Sequence, residues 1–160
     1  MKMALTTRVM ITAVALSVFS AVSAQAQGVR SFYELSLKPE AISITQDSGG
    51  NIALYIVKAE EYRADQSMVA FRGQCDSACT LLLSLTPVQI CVMPGASFRF
   101  HAPICKTEEA EKSAADIMMK KYPYWVQDWI AARGGLTAQL ATMNYTYASQ
   151  YVQSCVATIY

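Results

Sequence analysis

The apolar positions along the chain follow two different periods, one typical of strands and one typical of helices. Residues 41–45 are apolar at every second position and predict a short strand. Residues 68–71, 88–92 and 97–101 predict three more strands, and the alternation is cleanest in the last of them. The second strand is expected to close at the turn-forming residues 72–74.

Two helices are predicted in the first half of the chain. Residues 51–63 carry apolar side chains at helical spacing after the polar break QDSGGN at 46–51. The run IALYIV at 52–57 also fits a strand, and its pattern alone leaves that choice open. Residues 78–85 are apolar on every side, which is typical of a buried helix, and Pro87 follows its expected end.

The second half of the chain predicts a helix that is interrupted by proline. Thr107 is a good N-cap, the acidic first turn suits the helix dipole, and the helix is expected to reach about Tyr122. After Pro123 a helical pattern resumes at residues 124–132 and ends at a Gly-Gly pair. For residues 136–160 we expect a short helix followed by irregular or strand-like chain.

The predicted order of elements is strand, helix, strand, helix, strand, strand, helix. Parallel strands need crossover connections, so this order predicts an α/β domain with a largely parallel sheet. There is no internal repeat, low-complexity tract or linker after the first 26 residues. One domain over residues 27–160 is therefore expected.

Residues 1–26 have the three-part pattern of a secretory signal peptide. Lys2 and Arg8 supply the basic region, an apolar run follows, and Ser23-Ala24-Gln25-Ala26 is a small-residue cleavage site. Cleavage after Ala24 or Ala26 leaves about 134 residues, enough for one domain with a real core. The apolar run is short for a bilayer span, so the product is expected to be soluble and periplasmic or secreted.

Charge and composition exclude several classes of partner. Removing Lys2 and Arg8 from the 13 Lys and Arg leaves 11, against 12 Asp and Glu. Such a balance gives no long-range field for nucleic acid or anionic lipid, and no later segment predicts a membrane span. The cysteine spacings match no zinc pattern and the chain has one histidine, so we expect neither a metal nor another cofactor.

Five cysteines lie after the signal: Cys75, Cys79, Cys91, Cys105 and Cys155. In an oxidising compartment disulfides are the default, and an odd number leaves one thiol over. Cys75, Cys79, Cys91 and Cys155 are the disulfide candidates, and Cys105 is the expected free thiol. Bridges from Cys75 or Cys79 to a distant cysteine are expected to lock their loop, although a redox-active C-x3-C pair is the alternative.

Three segments that follow predicted strands carry residues suited to acyl transfer. Function in a parallel sheet gathers beyond the carboxyl ends of its strands. Ser77 opens the buried helix, His101 ends the fourth strand, and Gly49 and Gly50 follow the first strand. An imidazole activates a serine hydroxyl, while glycine loops and a helix N-terminus, here including the Ala78 N–H, offer backbone donors to an oxyanion.

Each of these features has a structural alternative when it is considered alone. Ser77 could be only an N-cap, Ser48-Gly49-Gly50 only a turn, and His101 only a surface residue. An aromatic cluster surrounds Pro123 and consists of Tyr122, Tyr124, Trp125 and Trp129. We expect these side chains to pack in the core, with a substrate or subunit surface as the alternative. It is the order of the three segments that favours catalysis.

That order resembles the proteolytic subunit of Clp proteases. Ser48-Gly49-Gly50 is similar to the family's Pro-Gly-Gly oxyanion loop, and Ser77 follows Gly50 by 27 positions. His101, 24 positions later in the context His-Ala-Pro, is similar to the family's His-Gln-Pro segment. The chain resembles more specifically a group of exported Clp/crotonase-like proteins of alphaproteobacteria. Further matches to that group include Cys75-x-Ser77-Ala78-Cys79-Thr80, Ile90-Cys91-Val92, Tyr122-Pro123, Trp129-Ile130-Ala131, Arg133-Gly134-Gly135-Leu136-Thr137 and Cys155.

The resemblance implies a ββα-superhelix fold and a serine hydrolase acting on a peptide, or on a small ester or amide. It implies Ser77 as nucleophile, His101 as general base, Gly50 and Ala78 as oxyanion donors and Gly49 as the residue that shapes their loop. Relatives with this fold form rings or trimers, so self-association is expected by analogy.

The chain departs from the Clp pattern at the third member of the triad. Clp enzymes orient the histidine with an aspartate about 50 positions later, whereas here no Asp or Glu follows Asp128. Asn144 is the candidate replacement, although an amide stabilises an imidazolium less than a carboxylate does. Losing the acid costs about four orders of magnitude in kcat in well-studied triads. A catalytically inactive binding or structural module with the same fold is therefore the alternative.

Overall fold

A computed structural model describes residues 41–155, and the predicted signal peptide lies outside this range. The described chain is a mixed α/β fold with one five-stranded sheet. Its strands are β1 (Ile42–Asp47), β2 (Val69–Asp76), β3 (Ile90–Val92), β4 (Ser97–Phe100) and β5 (Ala141–Asn144). Its helices are α1 (Ile52–Ala64), the 3₁₀ helix (Ser77–Ser84), α2 (Glu108–Lys121), α3 (Tyr124–Ala131) and α4 (Tyr145–Ala148).

The sheet is mostly parallel, as the order of elements predicts. β2 is central: β1 pairs with it along one edge, and β3 and β4 pair in turn with the first and second halves of its other edge. All three pairings are parallel, because α1 and the 3₁₀ helix carry the chain back across the sheet. Only β5 runs antiparallel, beside β4.

β2 is longer than the sequence predicts. The predicted turn at residues 72–74 lies inside the strand, which continues to Asp76. Gly73 explains the false turn signal, because a Cβ there would lie 2.1 Å from the carbonyl oxygen of Thr45 in β1. β1 carries a register irregularity at this point, between Ile44 and Gln46. The glycine therefore marks a close approach of two strands and not a reversal of the chain.

Both α1 and α2 begin at a capping side chain, and the sequence predicts the one at Thr107. The Asn51 side chain accepts a hydrogen bond from Leu54 N (3.2 Å), which decides for a helix over a strand at this segment. Thr107 caps α2 in the same way through Ala110 N (3.2 Å). Pro123 separates α2 from α3, because proline cannot continue the hydrogen bonding of α2.

The 3₁₀ helix lies at the centre of the core. All residues from Ala78 to Leu83 are buried, and the helix packs against α1, α2 and the sheet. The sequence predicts a buried helix here, but it does not predict the 3₁₀ type. A segment that is apolar on every side has no periodicity, so its pattern cannot distinguish a 3₁₀ helix from an α-helix.

The C-terminal part of the described chain has its elements in the opposite order to the one expected. β5 comes first, and the four-residue helix α4 follows it. Met143 of β5 lies opposite Phe98 of β4, and both side chains are fully buried. This long-range burial, which local periodicity cannot show, makes the segment a strand.

Two disulfides confirm the prediction that the chain is disulfide-bonded. Cys91 of β3 pairs with Cys155 across 64 positions, and Cys75 pairs with Cys79 across four. The expected bridge from Cys75 or Cys79 to a distant cysteine is therefore absent, because the two lie on one turn with their Cα atoms 5.4 Å apart. Disulfides of this kind are features of proteins in oxidising compartments. None of the helices within residues 41–155 has both the length and the apolar character to cross a membrane.

The two disulfides should contribute unequally to stability, because they close loops of different length. We expect Cys91→Ala/Cys155→Ala to lower the free energy of unfolding by about 4 kcal/mol and Cys75→Ala/Cys79→Ala by about 2 kcal/mol. Urea titration of both double variants beside the parent protein measures the difference. Equal losses would contradict the loop-length argument.

Candidate active site

The register of the sheet brings the three predicted segments to the same end of the sheet, where the parallel strands terminate. Asp76, the last residue of β2, lies opposite Arg99 of β4, so Ser77 and His101 leave neighbouring parallel strands at the same end. Asp47, the last residue of β1, lies opposite Cys75 on the other side of β2. The chain that follows Asp47 therefore reaches the same end of the sheet, as expected of a site beyond the carboxyl ends of parallel strands.

A cavity of about 490 Å³ opens at this end of the sheet. Ser77, His101 and Gly50 line it together, and Ser48 and Asn51 add polar groups at its margin. Its other walls are apolar and come from α1, α2 and the segment after β4. The volume is within the range of small-molecule sites in proteins.

Ser77 has a backbone conformation that non-glycine residues rarely adopt. Its φ is +52°, in the left-handed region, and it is the first residue of the 3₁₀ helix, directly after the extended Asp76. The disulfide between Cys75 and Cys79 closes the turn around it, and both sulfurs are fully buried. Ser77 lines the cavity at this strand-to-helix turn, and such unfavourable conformations concentrate at functional sites.

A buried chain of hydrogen bonds holds the same turn from the side of the core. Thr80 Oγ1 donates to the Ser77 carbonyl oxygen (2.5 Å), so its oxygen is left to accept from the Tyr122 hydroxyl (2.6 Å). Burial raises the pKa of Tyr122 above its usual range, which keeps the phenol protonated as the donor. The chain links the turn at Ser77 to the junction of α2 and α3.

Gly49 lies against the turn at Ser77. A Cβ at Gly49 would lie 2.4 Å from the Asp76 carbonyl oxygen and 2.8 Å from Ala78 N, so no side chain fits there. Its N–H donates to Asp47 Oδ1 (2.9 Å), which also accepts from the Tyr55 hydroxyl (2.5 Å). Burial, and then the hydrogen bond to Asp47, raise the pKa of Tyr55 and keep it a neutral donor. The predicted role of Gly49 in shaping the loop fits these contacts.

The two predicted oxyanion donors lie on either side of this contact. Ala78 is the second residue of the 3₁₀ helix, so its N–H has no acceptor within the helix. The Gly50 N–H donates to no backbone or side-chain acceptor within residues 41–155. Gly50 has a φ of +144°, which is accessible in practice only to glycine. An oxyanion site needs free N–H donors of this kind, and Gly50 lines the same cavity as Ser77.

His101 is oriented by a backbone carbonyl. Its Nδ1 lies 2.6 Å from the Ala102 carbonyl oxygen, and since a carbonyl only accepts, Nδ1 carries the proton. Nε2 is then the basic nitrogen of the neutral ring. The Ala102 backbone is held in turn on its N-terminal side, where its N–H donates to the Thr137 carbonyl oxygen (2.6 Å).

The structure does not bring Asn144 to His101. Asn144 lies opposite Ser97 at the start of β4, whereas His101 follows the end of that strand, roughly 13 Å away at about 3.3 Å per residue. Its side chain caps α4 by accepting from Tyr147 N (3.0 Å). In the described residues neither Asn144 nor a carboxylate hydrogen-bonds His101, and no hydrogen bond joins His101 to the Ser77 hydroxyl.

An ion pair that sequence reasoning missed joins the two site-bearing strands. Asp76 is only 6% exposed; its Oδ1 accepts from Nε of Arg99 (2.7 Å), and its Oδ2 accepts from both Nη2 of Arg99 and Nε2 of Gln74 (2.7 Å from the latter). Hydrogen bonding with Asp76 raises the pKa of Arg99. The available signal was an arginine between two core phenylalanines, Phe98 and Phe100, in a strand with a buried face.

The remaining predicted residues divide between structure and the cavity. Cys105 is the free cysteine of the described chain, is exposed and also lines the cavity. Tyr122, Trp125 and Trp129 are buried in the core, whereas Tyr124 is 70% exposed. No group of three or more His, Cys, Asp or Glu side chains within residues 41–155 is arranged to hold a metal ion.

No protein-family model matches this chain, and neither does any curated protein.

Gly49→Ala should destabilise the protein more than a substitution at a glycine where the only cost is a positive φ, because a Cβ at Gly49 also clashes with its neighbours. Gly95 is the matched control, because its φ is +95° but a Cβ there meets nothing within 4 Å. We expect Gly95→Ala to cost about 1–2 kcal/mol and Gly49→Ala clearly more, since the turn at Ser77 must move. Urea unfolding measures both, and similar losses would show that the loop relaxes freely.

Ser77→Gly should be more stable than Ser77→Ala, because only glycine adopts the left-handed conformation without penalty. We expect a difference of roughly 0.5–1 kcal/mol in the free energy of unfolding. Thermal and urea unfolding of the two variants, neither of which has a hydroxyl, isolate the backbone effect. A less stable glycine variant would mean that Ser77 is not left-handed in solution.

Proposed function

We propose that this protein is an exported serine hydrolase in which Ser77 is the nucleophile and His101 the general base. The observation that carries the proposal is that Ser77, His101 and Gly50 line one cavity at the carboxyl ends of adjacent parallel strands. The left-handed Ser77 supports it, because an unfavourable conformation at a strand-to-helix turn needs a compensating role. The two disulfides support an oxidising compartment, periplasmic or extracellular.

The proposed mechanism uses only groups that the chain supplies. Ser77 Oγ attacks the substrate carbonyl carbon while His101 Nε2 takes the hydroxyl proton. The N–H groups of Gly50 and Ala78 stabilise the oxyanion of the tetrahedral intermediate. The Ala102 carbonyl takes the orienting part of the acid's role by holding the Nδ1 proton. Being neutral, it stabilises the imidazolium less than a carboxylate, so catalysis is expected to be slow.

For the fold family we propose the Clp/crotonase-like ββα-superhelix. The order of the Gly-Gly loop, the serine helix and the histidine strand supports this assignment. The mostly parallel sheet agrees with it. A homo-oligomer is part of the same proposal and rests on analogy alone.

A non-catalytic binding module on the same scaffold is the second candidate. The observation that favours it is the absence, among the described residues, of a hydrogen bond between the Ser77 hydroxyl and His101. In unliganded enzymes such a bond is often long and tightens only on binding of substrate, so the geometry permits both functions.

A fluorophosphonate probe, followed by intact mass measurement, separates the two candidates. We expect one adduct on the oxidised protein and none on Ser77→Ala or His101→Ala, because the probe reacts only with an activated serine. Ser48→Ala is the matched control, since Ser48 lines the same cavity and the adduct should persist. Cys105→Ser should also keep the adduct, which excludes reaction at the free thiol. A folded, oxidised protein without an adduct would support the binding module.

A further inference from the structure

Apart from Ser48 and Asn51, the described residues that line the cavity away from the serine and histidine are apolar and carry no charge. Ile52 and Ala53 come from α1, Ala114 and Met118 from α2, and Ile104 from the segment after β4. Met118 is only 2% exposed, whereas Ile104 is 87% exposed at the mouth of the cavity. Within residues 41–155 no Lys, Arg, Asp or Glu lines the cavity, so a charged group bound there would be desolvated without one of these partners.

The orientation of His101 restricts which acyl bonds the site can break. An amide carbonyl is a weak electrophile, and its amine leaves only after protonation, so amide hydrolysis depends most on an imidazolium that forms readily. Nδ1 of His101 faces the neutral Ala102 carbonyl, which gives that imidazolium little stabilisation. Ester carbonyls are more reactive than amide carbonyls, and an alkoxide is a better leaving group than an amine anion. Ester hydrolysis therefore requires less stabilisation of the imidazolium.

We infer that the Ser77–His101 site is an esterase for short, uncharged aliphatic acyl groups and does not cleave peptide bonds. This inference rests on the proposed function and names its substrate class. The apolar walls bind the acyl chain, and Gly50 and Ala78 bind its carbonyl oxygen.

The reaction balances with water as the only co-reactant. A bond forms between Ser77 Oγ and the acyl carbon while the hydroxyl proton of Ser77 moves to His101 Nε2. The bond between the acyl carbon and the ester oxygen then breaks, and that oxygen takes the proton from His101. A water molecule then attacks the acyl-enzyme with His101 again accepting a proton. Ser77 regains its hydrogen as the carboxylic acid leaves.

The test compares p-nitrophenyl esters with p-nitroanilides of the same acyl groups, from acetyl to hexanoyl, on the purified oxidised protein. We expect ester turnover with kcat/KM rising about fourfold per added methylene until the cavity is full. The anilides should show no turnover. A hexanoyl analogue of the ester that ends in a carboxylate should lose the gain from chain length.

Ala114→Leu should shorten the acyl site, because Ala114 lies on its α2 wall. We expect kcat/KM for the hexanoyl ester to fall by about tenfold or more, with the acetyl ester little changed. Ser113→Leu is the matched control, since Ser113 is the exposed neighbour on α2 and lies outside the cavity. It should leave the chain-length profile unchanged.

The outcomes distinguish this inference from the proposed function. If the fluorophosphonate adduct fails to form on Ser77, the proposed function fails and the esterase falls with it. If the adduct forms, three results would overturn the inference alone: turnover of the anilides, a preference for the charged ester, or no hydrolysis of any ester. If Ala114→Leu leaves the chain-length profile unchanged, the acyl chain does not bind against these walls and the inference is likewise overturned.

Discussion

The parallel pairing of β2 with β4, held by the ion pair between Asp76 and Arg99, is the contact on which the candidate site depends. It sets the separation of the two strand ends from which Ser77 and His101 project. Asp76 is buried, and a buried carboxylate without its guanidinium would be strongly destabilising. The pair is thus better understood as a determinant of strand register than as a source of net stability.

Around that contact, the unfavourable conformation of Ser77 is compensated from several sides. Gly49 leaves room for the turn, the Cys75–Cys79 disulfide closes it, and the Tyr122–Thr80 hydrogen-bond chain anchors its carbonyl. The disulfide joins residues close in sequence, whereas Gly49 and Tyr122 reach the turn from distant parts of the chain. Together they hold a polar turn against an otherwise apolar core.

The sequence predicted the mixed α/β fold with its mostly parallel sheet better than it predicted the long-range pairings within it. Helical spacing located α1, and the N-cap Thr107 located the start of α2, because both signals are local. The extension of β2 through Gly73 and the pairing of β5 with β4 were missed, since both depend on distant neighbours. The partner of His101 could not be read from side-chain types, because it is the backbone carbonyl of the next residue.

The topology of the sheet also determines when such a site can exist during folding. Asp76 and Arg99 are separated by 23 positions, and parallel strands cannot pair through a tight hairpin. The chain must therefore close the crossover loop that contains the 3₁₀ helix before the serine and the histidine meet, and the loop around α1 before Gly50 joins them. Closures of this kind are slow. A nascent or partly unfolded chain carries every reactive group but no cavity, so any chemistry here is confined to molecules whose sheet is complete.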